Sequence, residues 1–146
     1  MSDALEARLR RLEDLQAITQ LFTDYGRYLD AGDFESYSKL FAEDGEVLLG
    51  PMGRATGPDA IKALMIEQLA SQVGESYHLI SSPMIVLNGD EATSSTMWTV
   101  MHRSESGTPH VTMLGRHEDV LVRTADGWRF KKRRGFVDLP SVMPSK

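Results

Sequence analysis

The 146-residue sequence has no cysteine. Disulfides, thiolate metal sites and a cysteine nucleophile are therefore excluded. Basic charge is also scarce: 16 Lys and Arg stand against 21 Asp and Glu, a net charge of −5. A chain without a basic excess is poorly suited to nucleic acid, so no nucleic-acid partner is expected. No apolar run approaches the roughly 20 residues that span a bilayer. The opening MSDALEARLRRLEDL lacks the apolar centre of a signal peptide. These absences predict a soluble, cytoplasmic protein with no membrane partner. The four histidines lack close ligand spacing, so no metal is expected. There is no phosphate loop and no G-x-S-x-G element.

What is present reads as one domain over 1–146, with a core of about 8–138. Hydrophobic content of 41% and charged content of 25% are ordinary globular values. From Asp3 to Leu29 the apolar residues recur in steps of three and four: Leu5, Leu9, Leu12, Leu15, Ile18, Leu21, Phe22, Tyr25, Tyr28 and Leu29. That spacing is a helix with one buried stripe. Unbroken it would run about 40 Å, which predicts a bend or a separate first segment. Gly32 fits the left-handed position that closes a helix. Asp33 then caps a short second helix through about Phe41. EVLLG (46–50) reads as a short strand, and Gly57-Pro58 opens a third helix.

Near Tyr77 the period changes from 3.6 to 2. Four strands are expected at about 77–87, 91–103, 111–124 and 127–138. Helices first and a strand meander last give an α+β fold, with helices on one face of a curved antiparallel sheet. The opposite face needs cover. Val111, Met113, Leu121 and Val137 suggest apolar stretches there, and hence a homodimer or homotrimer.

In this frame Asp30 is anomalous. A carboxylate in the last helical turn meets the negative end of the macrodipole, and its neighbours Tyr28 and Leu29 turn it toward the interior. A buried carboxylate needs a partner, and a histidine suits. His78 opens a strand whose alternating set is His78, Ile80, Ser82, Met84 and Val86, with Leu79, Pro83, Ile85 and Leu87 opposite. Both sets are largely apolar, which equally suits a core histidine satisfied by a backbone carbonyl. His102 depends on register. A two-residue turn at Asn88-Gly89 puts the even-numbered residues of the two strands on opposite faces. A three-residue loop, Asn88 to Asp90, puts His78 on the face of Val100 and His102. Tyr25 lies on the buried stripe, His117 shares a face with Met113 and Gly115, and His110 belongs to an exposed turn. Of the basic run Lys131 to Arg134, the outward members form a solvated face.

The stretch LEDLQAITQLFTDYGRYLDAGDFESYSKLFAEDGEV, the G-x-x-A-I of GPDAI and the closing LVRTADGWRFKKR resemble SnoaL-like proteins of the nuclear-transport-factor-2-like superfamily. The nearest branch is that of scytalone dehydratase and bile-acid 7α-dehydratase. The resemblance implies a cone-shaped, cystatin-like fold around a pocket, and a cofactor-independent lyase acting on a mostly apolar, cyclic, polyketide- or steroid-like molecule. It places the family's catalytic positions on Asp30, His78, Tyr25 and His102. His117, Trp98 and Met113 are expected to contact the substrate. Leu29 and Leu48 or Leu49 depart from the tyrosines of scytalone dehydratase, and His117 departs from its cavity asparagine. The superfamily also holds ketosteroid-isomerase-like enzymes and the non-catalytic small subunits of ring-hydroxylating dioxygenases, and both remain alternatives.

Overall fold

The computed structural model describes residues 2–140. Helix α1 (Asp3–Ala31) is one uninterrupted segment, so the expected separate first segment does not occur. The Ser2 side chain accepts the Leu5 N–H, Asp3 and Glu6 sit in the first turn, and Gly32 closes the helix at φ 73°, so each end carries a stop signal. Burial along α1 starts only at Ile18 and continues through Leu21, Phe22, Tyr25, Gly26 and Leu29. Leu5, Leu9 and Leu12, expected on the buried stripe, are exposed. The helix is anchored near this boundary by Asp14, whose carboxylate takes two bonds from Arg123 (2.7 and 2.8 Å) and one from the Trp128 indole (3.0 Å).

Helix α2 (Phe34–Ser38) starts at Asp33, whose side chain accepts from the Ser36 N–H as expected. It stops three residues earlier than the sequence suggests, because Phe41 already belongs to β1 (Phe41–Leu48). A 3-10 turn at Gly50–Met52 and the short strand β2 (Arg54–Thr56) lead to α3 (Pro58–Leu69), and a second 3-10 turn, Ala70–Gln72, follows. Strands β3 (Ser76–Asn88), β4 (Glu91–Arg103), β5 (Pro109–Thr124) and β6 (Gly127–Leu139) form the expected meander.

The sheet has six strands in the order β2-β1-β6-β5-β4-β3. It is mixed rather than wholly antiparallel, because β1 runs parallel to β6. Ile18, Leu21, Phe22 and Leu29 of α1 meet Val47, Ile61, Met65, Leu121 and Phe130 in one core between helices and sheet.

Register in the β3–β4 hairpin follows neither expected alternative. Asn88 pairs with Glu91, so the turn is the two residues Gly89-Asp90, yet His78 pairs with Val100 and Ser76 with His102. The parity is restored by an irregularity between Ser81 and Met84, where Ser82 adopts φ 51° and Pro83 has no N–H to give the ladder. The bulge reverses the alternation beyond it. Met84 and Val86, expected on the face of His78, are 72% and 65% exposed, while Ile85 and Leu87 pack on the core. The outer apolar surface falls partly at other residues than expected. Leu121 is fully buried and Met113 lines a cavity between helices and sheet. Val137, which also borders that cavity, is exposed, as Val111 is, and Leu79, Met84, Val86 and Met97 take further exposed positions.

Candidate active site

The site begins with a glycine. A Cβ at Gly26 would lie 3.2 Å from the His78 carbonyl and 3.3 Å from Ile80, so its absence lets α1 press against β3. One turn further on, Asp30 reaches the start of that strand. Its carboxylate accepts the His78 backbone N–H at 3.0 and 3.1 Å, and it meets the ring Nδ1 at 2.8 Å. A carboxylate only accepts, so Nδ1 carries a proton, and in the neutral imidazole Nε2 then holds the lone pair. Both side chains are mostly enclosed, at 14% and 16% exposure.

His78 lines a cavity of about 280 Å³ between helices and sheet, together with Tyr25, Trp98, Val100, His102, Met113 and His117. All the histidines and hydroxyls expected at the site therefore border one space, except that Asp30 stands behind His78. His102 is held differently. Its Nδ1 lies 2.6 Å from the Thr112 hydroxyl, which donates its own proton to the Val100 carbonyl (3.2 Å). The hydroxyl oxygen must then accept from Nδ1–H, which again leaves Nε2 with the lone pair.

His117 and Tyr25 form the buried side of the cavity. Tyr25 Oη lies 3.5 Å from His117 Nε2, and the rings meet edge to face with centroids 5.1 Å apart. Burial pushes His117 well below the usual histidine range, with the Arg133 charge adding to the effect. Burial pushes the Tyr25 hydroxyl up, so it stays protonated. Gly115 lets the Trp98 indole lie over β5, since a Cβ there would come within 2.2 Å of the ring. His110 is exposed. Among the described residues no three His, Asp or Glu side chains are grouped so as to hold a metal ion.

Sequence reasoning did not find Arg133. Lys131 and Arg134 are exposed as the basic run suggested, but Arg133 between them is fully buried. Its Nε stands 2.9 Å from Asp119 Oδ1, Nη2 reaches Asp119 Oδ2 and Thr96 at 3.3 Å each, and Ser94 donates to Asp119 Oδ2 at 3.0 Å. The guanidinium lies over the rings of Tyr25 (4.1 Å) and Phe130 (4.3 Å). Burial raises the Asp119 carboxyl and the guanidinium opposes that rise. The available signal was parity: Asp119 and Arg133 are directly paired on β5 and β6, on the face of His117.

Comparison with known proteins fits this geometry. The model of the SnoaL-like domain matches residues 10–134. A crystal structure of a nuclear-transport-factor-2-like protein with a cystatin-like fold from Novosphingobium aromaticivorans superposes with a TM-score of 0.87 at 32% identity, covering 94% of this chain and 90% of that one. A candidate scytalone dehydratase from the same organism gives a TM-score of 0.76 at 26% identity, over 92% and 91% of the two chains. The anthranilate 1,2-dioxygenase small subunit of Burkholderia cepacia is 24% identical over 148 residues, covering 89% of this chain and 92% of the relative. No helix is long and apolar enough to cross a membrane among the described residues. The chain belongs to the SnoaL-like domain family, with the cystatin-like fold of its structural neighbours.

Proposed function

We propose that the protein is a cofactor-independent hydro-lyase that dehydrates a small, mostly apolar cyclic hydroxyketone. The observation that carries this reading is the Asp30–His78 pair, closed at 2.8 Å with His78 on the wall of the cavity. His78 Nε2 removes the proton next to the carbonyl. The electron pair left behind forms the carbon–carbon double bond as the hydroxyl departs, and the imidazolium returns its proton so that the hydroxyl leaves as water. Asp30 fixes the tautomer and offsets the positive charge that forms on the ring. Tyr25 donates to the carbonyl oxygen, and His102, with its lone pair at Nε2, accepts from the substrate hydroxyl. The test is to follow enone formation from a panel of cyclic β-hydroxyketones with the native protein, Asp30→Asn and His78→Gln. Turnover by the native protein alone is expected. Equal turnover by all three would overturn the reading, and conversion of β,γ-enones without loss of water would move it to an isomerase.

A second reading, assembly, has its own observation. The outer sheet face exposes Leu79, Met84, Val86 and Met97, and both Arg116 and Glu118 lie among its charges. Such a face suits a second copy of this chain, because apolar area and both signs of charge are self-complementary across a twofold axis. The likeness to a dioxygenase small subunit supports assembly as well. Light scattering should give a multiple of 16.3 kDa, and a stable monomer would count against this surface.

A further inference from the structure

Among the described residues, the walls of the cavity carry no fixed charge. None of the 17 residues lining it is Asp, Glu, Lys or Arg, in a chain with 37 such residues (16 basic plus 21 acidic). Its polar side chains are imidazoles, hydroxyls and amides: His78, His102 and Ser76 toward the start of β3, Gln68 and Gln72 near the end of α3, and Tyr25 with His117 on the buried side. The cation nearest to the buried side, Arg133, has no exposure and is bound to Asp119. It therefore cannot meet a ligand. A second cleft of about 240 Å³ shares Ser76 and His102 with the cavity, and among the described residues Arg103 is its single cation. Glu75 holds that guanidinium at 3.2 Å, and Asp30 borders the same cleft, so its charges sum to −1.

We infer that the site is selective for uncharged molecules and rejects carboxylates, phosphate esters and amines of the same shape. This deepens the proposed function, whose ligand class it narrows. The physical reason is desolvation: an ion entering this cavity loses water and gains no counter-charge. At about 280 Å³ the space lies at the small end of ligand pockets, which suits one or two rings rather than the four of a steroid.

Three ligands of one shape test the inference by titration calorimetry at neutral pH: naphthalene-2-carboxamide, naphthalene-2-carboxylate and 2-naphthylmethylammonium. The amide is expected to bind, and both ions to bind roughly 100-fold more weakly, as for a charge left without a partner. A four-ring steroid ketone is expected not to bind. Gln68→Arg places a cation at an exposed lining position and should narrow the gap between carboxylate and amide affinities about tenfold. Either ion binding the native protein as tightly as the amide overturns the inference, and so does failure of the amide to bind at millimolar concentration. These are binding measurements, so they stand apart from turnover. Amide selectivity with no elimination activity would reject the lyase and keep the charge selectivity.

Discussion

Two of the carboxylates that hold nitrogen cations or potential cations sit in opposite circumstances. Asp119 and Arg133 are sealed, at 0% exposure each, and the guanidinium cannot lose its charge. Asp30 and His78 keep 14% and 16% exposure, and an imidazole, unlike a guanidinium, exists in both a neutral and a charged form. The sealed pair has no atom on the cavity, whereas the other has one partner on its wall. Buried charge pairs often contribute little net stability but are costly to break. A mostly enclosed pair with one ring nitrogen on the cavity is arranged to pass protons. The difference predicts that the two pairs fail differently: one through folding, the other through turnover.

The largest effect is expected at the sealed pair. Arg133→Met strands the Asp119 carboxylate and should cost about 3–5 kcal/mol in urea unfolding, whereas Arg133→Met with Asp119→Leu should recover most of that loss. Equal instability of the single and double variants would show that packing of the guanidinium on Tyr25 and Phe130, rather than charge, dominates there. Next comes the approach of helix to strand. Gly26→Ala places a methyl 3.2 Å from the His78 carbonyl, so it should cost about 1–3 kcal/mol by overpacking and also lower turnover by shifting Asp30 off His78. Unchanged thermal stability would mean that the approach is slack.

The smallest effect concerns His117. Its folded pKa is depressed, by burial first and by Arg133 second. In the unfolded chain it takes up a proton near pH 6.5. The unfolded state therefore binds more protons below that pH, and stability falls as pH drops through about 6.5 toward the folded value. His117→Gln should flatten this part of the Tm-against-pH curve. A slope unchanged from that of the native protein would assign it to another group.

The elements whose pattern is local were legible in the sequence. The switch of period near Tyr77 located four strands to within two residues, because alternation needs only neighbours. The caps at Asp33 and Gly32 were read from residue type alone. Long-range facts were not legible. The parity of β3 turns on a bulge at Ser82-Pro83, and that bulge decides whether Met84 faces core or solvent. The burial of Arg133 depends on β1 pairing parallel to β6 and on the register against Asp119. Neither is visible in a basic run. Asp30 was legible for a physical reason, since a carboxylate at the wrong end of the helix dipole between apolar neighbours needs an explanation within the fold.

The most direct test of the account is a double-mutant cycle on the Asp30–His78 pair, read as kcat/KM on whichever hydroxyketone the panel identifies. Asp30→Asn is expected to fold and to lose about two orders of magnitude or more, the scale of an acid–base group. His78→Ala should lose at least as much. The double variant should be little worse than His78→Ala alone, because the two residues act as one unit. Losses that multiply in the double variant, or an Asp30→Asn protein with full activity, would contradict the account and return Asp30 to the role of a helix-end residue that only ties α1 to β3.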